Sequence, residues 1–341
     1  MHPFPIAGLK QSGPLALVRA PGTTGPWLRS LLNALAAERL NLALVAWQSC
    51  PGAGPGLCFC VEEARGSRAL ALAREIALAH DLPQPSLISP AFSLTLYPLG
   101  RSLKLPALML AACQEAGLQP LGLASSLSAL AALFAGDDLR AAMAAMRNAF
   151  ALPPDATPPQ MGVKVVQAGQ IPAGSTVAER ISGETVAVYA ECPVSCYGLK
   201  ENAGLALWQA HGPGPALGSA LSRLAALEPS PGLSFMAGYW HEGSCSLSIC
   251  LPKDQAAPLA QTWAGLGSCP PGRDASLVHL QGPHFGDRPG IAHEALAGLA
   301  QAGVEPLALS GVVHSLFLAL RPGDVKAALE GLAAKFCGPR R

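Results

Sequence analysis

Charged and aromatic side chains are scarce in this sequence, at 13% and 5% of 341 residues, and the formal net charge is +1. A chain so close to neutrality lacks the basic surface that nucleic acids and anionic membranes attract, so neither is expected as a partner. None of the ten cysteines forms a CxxC pair; the shortest spacing is Cys58-x-Cys60. We therefore expect reduced, buried thiols and no metal site.

The sequence also predicts neither a membrane-spanning segment nor an export signal. One long uncharged stretch, Ala116–Gly136, is interrupted by Pro120 and three serines, which favours a turn and two short strands over a membrane helix. The opening MHPFPIAGLKQ has no basic start followed by an apolar core, so no secretory signal is predicted. We expect a cytoplasmic protein whose cores are built mainly from alanine and leucine.

What the sequence does contain is repetition. QAGVEPLALSG (301–311) echoes EAGLQPLGLAS (115–125) at a constant offset of 186 residues, the separation of Gly303 from Gly117. GLKENAGLAL (198–207) echoes GLKQSGPLAL (8–17), and Trp240 is matched with Trp47. Self-similarity of this kind indicates a duplicated chain, with halves at about 1–150 and 194–337.

Each half divides into two smaller units with the same order of elements. Apolar spacing predicts a strand at 15–20, a helix at 27–38, strands at 40–47 and 57–62, and a helix at 67–80. In the last unit the same spacing predicts strands at 276–281, 305–309 and 313–320 and helices at 291–302 and 324–336. The intervening residues open with the proline-rich ALPPDATPPQ and then predict three short strands between 163 and 190. The predicted boundaries are 1–82, 83–150, 151–193, 194–268 and 269–341.

These units resemble ACT domains, and each pair resembles the regulatory module of aspartate kinases. The resemblance is carried by LVRAPGTTGPWLRSLLNALAAERLNLALV (17–45) and by HSLFLALRPGDVKAALEGLAAKF (314–336). It implies an α+β fold of four ferredoxin-like βαββαβ ACT units, arranged as two aspartate kinase-like pairs with a small β-rich insert between the halves.

The resemblance covers the regulatory part of that enzyme and not its kinase domain. Five residues, Met1–Pro5, precede the first matching strand, and neither a Lys-Phe-Gly-Gly-Thr-like loop nor GxxxxGK[ST] occurs. We therefore expect a regulatory module without its enzyme, with no catalytic residue and no cofactor.

The resemblance also implies where an amino acid would bind: near the loop between the first strand and the first helix of a unit. Glycines let the backbone approach a ligand, and a helix start offers free N–H groups to a carboxylate. The strand after that helix carries Ala43 and Met236 where the family often has an aspartate for the ligand's ammonium, so a more apolar ligand is one alternative. The predicted ligand-binding residues are Gly22, Thr23, Thr24, Gly25, Asn41, Trp47, Gln48, His211, Gly212, Gly214, Tyr239, Trp240, His284, Asp287, Arg288 and Gly290.

Two hypotheses about function follow. In the first, a non-catalytic regulator binds an amino acid or related small molecule between ACT units and modulates a separate amino-acid biosynthetic enzyme, such as an aspartate kinase. In the second, a degenerate ACT scaffold binds proteins and no small molecule. The sequence leaves open the ligand's identity and whether the protein forms a homodimer.

Overall fold

The structure is a computed structural model that describes residues 3–22, 25–50, 54–100, 102–152, 193–227, 230–263, 272–282, 285–312 and 314–337. The three strands predicted between 163 and 190 lie outside these residues. Within them, strands and helices alternate in an order that repeats along the chain.

The first half contains two runs of strand, helix, strand, strand and helix, which we call run I (β2 to α2) and run II (β5 to α4). Apolar residues at helical spacing form the buried face of the first helix of run I: Leu28, Leu31, Leu32 and Leu35. The elements are β1 Phe4–Pro5, β2 Gly8–Pro21, α1 Gly25–Ala37, β3 Leu44–Cys50, β4 Gly54–Glu62, α2 Gly66–Ala79, β5 Ser86–Tyr97, α3 Lys104–Glu115, β6 Gly122–Ser125, β7 Leu130–Ala135, α4 Leu139–Ala149 and β8 Phe150–Ala151.

The second half repeats this order as run III (β10 to α6) and run IV (β13 to α8). Its elements are β9 Val194–Ser195, β10 Gly198–Pro213, α5 Gly214–Ala225, β11 Phe235–His241, β12 Ser244–Pro252, α6 Ala257–Trp263, β13 Arg273–Gln281, α7 Ile291–Gln301, β14 Ala308–Val312, β15 Ser315–Leu320, α8 Val325–Ala333 and β16 Phe336–Cys337. The predicted order of elements is therefore confirmed in the parts of these runs that the structure describes.

Twelve of the strands form one closed sheet, in the order β10-β12-β11-β6-β7-β5-β2-β4-β3-β14-β15-β13 and back to β10. Two antiparallel junctions join the halves. At one, β3 pairs with β14, so that Trp47 is opposite Leu309. At the other, β6 pairs with β11, so that Leu123 is opposite Gly238. Run I therefore adjoins run IV, and run II adjoins run III.

Alternate residues along the strands enter different cores, because successive side chains point to opposite faces of a sheet. On β2, Leu15 and Leu17 face the inside of the closed sheet, while Ala16 and Val18 face outward against helices. The outer cores follow the two junctions: runs I and IV share one, and runs II and III share the other. Helices α1 and α7 meet at the first junction, and α3 and α5 meet at the second.

Two strands begin later in the structure than the sequence predicts, and the ends of the preceding helices explain the difference. The amide of Leu40 donates to the Leu35 carbonyl at 2.9 Å, and that of Arg39 donates to Ala36 at 2.9 Å, with Arg39 at φ 54°. This pair of bonds is a Schellman cap, which keeps residues 39 and 40 in the helix ending. Strand β3 therefore begins at Leu44 and not at residue 40. Gly303, at φ 70°, makes the same cap on α7, and β14 begins at Ala308 and not at residue 305.

The fold is thus a mixed α and β architecture in which helices cover the outside of a large sheet. No helix in the described parts of the chain combines the length and apolar character needed to span a lipid bilayer.

Candidate functional site

Each junction between halves places the start of one helix beside the end of another. At the junction of runs II and III, the start of α5 lies beside the end of α3. A cavity of about 290 Å³ opens between them, which we call the Trp240 cavity. It is lined by Leu110, Cys113, Gln114, Gly117, Leu118, Gln119, Pro120, Gly214, Pro215, Gly218 and Trp240.

The described residues that line the Trp240 cavity include polar groups but no charged side chain. Its polar side chains are the amides of Gln114 and Gln119 and the indole of Trp240, which is 4% exposed. Burial raises the pKa of the Cys113 thiol to about 12, so this cysteine stays neutral. The field in the cavity comes from helix ends: α5 contributes a partial positive charge and α3 a partial negative charge.

Small residues keep the cavity open. A Cβ added at Gly214 would lie 2.7 Å from the Trp240 Nε1 and 3.2 Å from the Gln119 Nε2, so a larger side chain would displace both groups. A Cβ at Gly218 would meet the Gln114 Oε1 at 3.6 Å, an ordinary contact that leaves the space beyond it free. The start of α5 is fixed by Pro215 and by a 3.2 Å bond from the Gly214 amide to the Gly243 carbonyl.

The equivalent place at the junction of runs I and IV is nearly filled. It measures about 20 Å³ and is lined by Gly25, Leu28, Arg29, Trp47, Leu296, Val304, Glu305 and Pro306. Arg29 and Glu305 approach across it, with 3.4 Å from Nη1 to Oε1. At the repeat offsets, these two residues correspond to Gly218 and Gln119 in the Trp240 cavity. An ion pair therefore occupies the space that a glycine and an amide leave open at the other junction.

Strand register corrects the sequence match between the two tryptophans. Trp47 pairs with Leu57 and Leu309, whereas the residue that pairs with the corresponding Leu247 and Leu123 is Gly238. Trp240 therefore lies two residues further along its strand than Trp47 does. The sequence match was wrong because it aligned the two tryptophans with each other, although the hairpins that follow them differ in length. The two-residue shift is also a difference between the Trp240 cavity and its filled counterpart.

A third, shallower hollow of about 40 Å³ lies at the other end of the I–IV junction. Asn41 donates from Nδ2 to the Gly286 carbonyl at 2.6 Å, which links the loop before β3 to the loop before α7. Gly290, at φ 90°, is the residue before α7, and its carbonyl accepts from the Glu294 amide at 2.9 Å. Arg288 and His293 also line this hollow.

The structure distributes the predicted ligand-binding residues over several places. Gly214 and Trp240 meet in the Trp240 cavity, Gly25 and Trp47 meet in its filled counterpart, and Asn41, Arg288 and Gly290 meet in the third hollow. Gln48 and His211 point into the closed sheet toward Ser246, Tyr239 lines a separate hollow, and Asp287 is exposed. Gly22 and Gly212 lie at the ends of β2 and β10. Thr23, Thr24 and His284 lie outside the described residues.

Nine of the eleven lining residues were not predicted from the sequence, among them Gln114, Gln119 and Gly218. The available signal was the 186-residue offset, which aligns Gln119 with Glu305 and shows a charge in one copy where the other has an amide. In the described residues, no group of three or more His, Cys, Asp or Glu side chains could hold a metal ion.

Comparison with known proteins finds a strong likeness of fold. No protein-family model and no curated protein sequence matches the chain. The crystal structure of an aspartate kinase from Synechocystis superposes with a TM-score of 0.74 at 15% identity, over 97% of this chain and 55% of that one. The chain thus spans about half the length of that enzyme. At this identity the likeness shows the fold alone.

Regulatory subunits of aspartate kinases match smaller parts of the chain. Those from Thermus flavus and Thermus thermophilus each cover 43% of this chain and 99% of their own, at 16% and 18% identity. Their TM-scores are 0.40 and 0.38, values too low to carry an argument.

Two expectations from the sequence are wrong on this comparison. The likeness over 97% of the chain is to a whole aspartate kinase, so the resemblance is not restricted to a regulatory module without its enzyme. The same finding overturns the expectation that the chain is not an enzyme, because the structure it matches is one. That expectation rested on absent phosphate-loop motifs, and the lack of a short motif does not exclude an activity.

Proposed function

We propose that this protein is a regulator in amino-acid metabolism whose effector, a small amino acid, binds in the Trp240 cavity. In this proposal the four runs are ferredoxin-like ACT units: the pairs expected from the sequence are I with II and III with IV, and the helices of the two pairs meet as I with IV and II with III. The observation that carries the proposal is the 290 Å³ cavity between the two halves, at a place where the other junction is filled.

The charge distribution around the cavity favours a zwitterion with an uncharged side chain. A carboxylate is stabilised at the start of α5 and an ammonium at the end of α3, because helix ends carry opposite partial charges. No lining residue supplies a full charge for a third ionised group. The glutamine amides and the indole of Trp240 can donate to or cover a short neutral side chain.

The position of the cavity is the reason for proposing a regulatory role. The cavity is bounded by run II of the first half and run III of the second, so a ligand there contacts both halves. A ligand shifts a conformational equilibrium by its differential affinity for the two arrangements. The activity that responds is proposed to belong to aspartate-family amino-acid metabolism in the cytoplasm. The proposed partner is a separate biosynthetic enzyme, such as an aspartate kinase.

The proposal is tested by a thermal-shift screen of the protein against the twenty amino acids, diaminopimelate and S-adenosylmethionine, followed by calorimetry on each hit. A ligand at 100 times its Kd stabilises the folded state by about 2.7 kcal/mol. With an unfolding entropy of about 2.1 cal/mol/K per residue, that corresponds to a rise in Tm of about 4 °C.

Matched variants locate the binding. Gly218→Arg combined with Gln119→Glu builds the filling ion pair of the other junction into the Trp240 cavity, and should abolish the shift. Arg29→Gly combined with Glu305→Gln removes that pair from its own junction and should leave the shift intact. The absence of any shift in folded protein, or an equal shift in both double variants, would refute the proposal. The first result would favour the protein-binding scaffold instead.

A further inference from the structure

One end of the closed sheet holds a small hollow apart from the junction cavities. It measures about 70 Å³ and is lined by Arg19, Ala20, Pro21, Leu57, Gln84, Ser86, Tyr239 and His241. These residues come from the end of β2, from β4, from the connection before β5 and its first residue, and from the last part of β11. Since one water molecule needs about 10–15 Å³ of such space, the hollow has room for a few water-sized groups.

Two buried nitrogens at this hollow have no hydrogen-bond partner among the described residues. They are Nε of Arg19 and Nδ1 of His241. Arg19 is anchored from its other side, where Nη1 donates to the Trp240 carbonyl at 2.8 Å. The guanidinium is therefore held in place while part of its donor set remains available, and unmade hydrogen bonds of buried charged groups are costly.

The charge of Arg19 is not balanced within the hollow. None of the described residues that line it is a carboxylate. Cys58 lies close enough to interact with Arg19, but burial raises the pKa of that thiol to about 12 and keeps it neutral. Glu242 also acts on the guanidinium, yet its side chain is 86% exposed and lies 3.9 Å from His241 Nε2. A carboxylate so exposed to water offsets little of a partly buried charge.

We propose that this hollow binds a small oxyanion, which we call the Arg19 site. Guanidinium groups bind carboxylate, phosphate and sulfate through paired N–H donors, and such charge-assisted bonds are among the strongest in proteins. The guanidinium of Arg19, which lines the hollow, supplies these donors, with Ser86, Gln84 and the His241 ring at the rim. The ligand is a carboxylate or a tetrahedral oxyanion small enough to fit, and chloride lacks the paired oxygens this donor set recognises.

Calorimetric titration with acetate, malonate, phosphate and sulfate tests this site, with sodium chloride at matched ionic strength as the reference, because screening alone also changes stability. Saturable binding of at least one oxyanion, and not of chloride, is expected. Comparing acetate and malonate with phosphate and sulfate shows whether the site prefers a planar carboxylate or a tetrahedral oxyanion. Equal responses to all the salts, or no saturable binding by the folded protein, would overturn the proposal.

Variants at the rim separate this site from general charge effects. Gln84 is exposed, so Gln84→Glu should fold and place a carboxylate beside Arg19, weakening oxyanion binding at least tenfold. Arg19→Gln should abolish binding, whereas Arg68→Gln removes an equal charge from the remote Glu38 pair and should not. Undiminished binding in Gln84→Glu would place the anion elsewhere and refute the assignment.

Discussion

Gln48 should hold the two halves together from inside the closed sheet. It is 1% exposed, and its Nε2 donates to the Ser246 carbonyl at 2.7 Å. Its Oε1 accepts from the Ser248 hydroxyl, which in turn accepts from Gln209 Nε2 at 3.0 Å. The bonds of Gln48 run from β3 of the first half to β12 of the second, two strands that are not sheet neighbours, and Ser248 extends the network to β10.

Gln48→Met keeps the length of the side chain and removes both polar atoms of its amide, Oε1 and Nε2. The Ser248 hydroxyl then loses its buried acceptor and the Ser246 carbonyl loses a donor, so unfolding free energy should fall by about 1–3 kcal/mol. Ser248→Ala should cost a similar amount, because the Oε1 of Gln48 loses its donor and the Nε2 of Gln209 loses one acceptor. The double variant removes both ends of one bond, so its cost should be smaller than the sum by about 1 kcal/mol.

The assay is equilibrium urea unfolding, followed by far-UV circular dichroism and tryptophan fluorescence. The matched control is Gln301→Met, the same replacement at an exposed position near the end of α7, which should stay within about 0.5 kcal/mol of the wild type. A loss below about 0.5 kcal/mol for Gln48→Met, or strictly additive costs in the double variant, would refute the reasoning.

Three further predictions concern the described cores. Burial and the charge of Lys200 lower the pKa of His279, so the folded state binds a proton less readily than the unfolded state. Stability should therefore decline as pH falls below the unfolded value of about 6.5, and His279→Gln should flatten that dependence in unfolding measured from pH 5 to 8; an unchanged slope would contradict it. A methyl at Gly331 would overlap the Gly298 carbonyl oxygen where α8 crosses α7. Gly331→Ala should thus lower Tm through overpacking of about 1–3 kcal/mol, offset by about 1 kcal/mol of helix propensity, while Gly323→Ala, which meets nothing within 4 Å, should not. Burial raises the pKa of both Cys58 and Cys60, so peptide-resolved alkylation should leave them unmodified in folded protein and label them in urea; labelling of the native protein would count against their burial.

Local patterns were sufficient to predict most elements. The leucines of α1 and the apolar run of β4 identify a helix and a strand because their spacing depends on nearest neighbours along the chain. The Schellman cap at Arg39 was missed because left-handed backbone is common for glycine, as at Gly303, and uncommon for arginine. That single residue moved the predicted start of β3.

The candidate site was harder to predict, because it depends on which strands meet. Gln48 was placed in a ligand site, but both faces of its strand are buried, so alternation alone could not tell that it points inward. The Trp240 cavity requires Gln119 and Gly218 to lie together, and they do so through the junction of β6 with β11. Pairing at such distances along the chain follows from no local pattern.

Both junctions belong to one polypeptide, and this frees them from a constraint on symmetric assemblies. In a homodimer a substitution appears in every symmetry-related copy of a contact at once. Here Arg29 and Glu305 can close one junction while Gly218 and Gln119 leave the other open, because each position is encoded separately. A single chain can therefore specialise its two junctions independently, one for permanent adhesion and one for exchange with solutes.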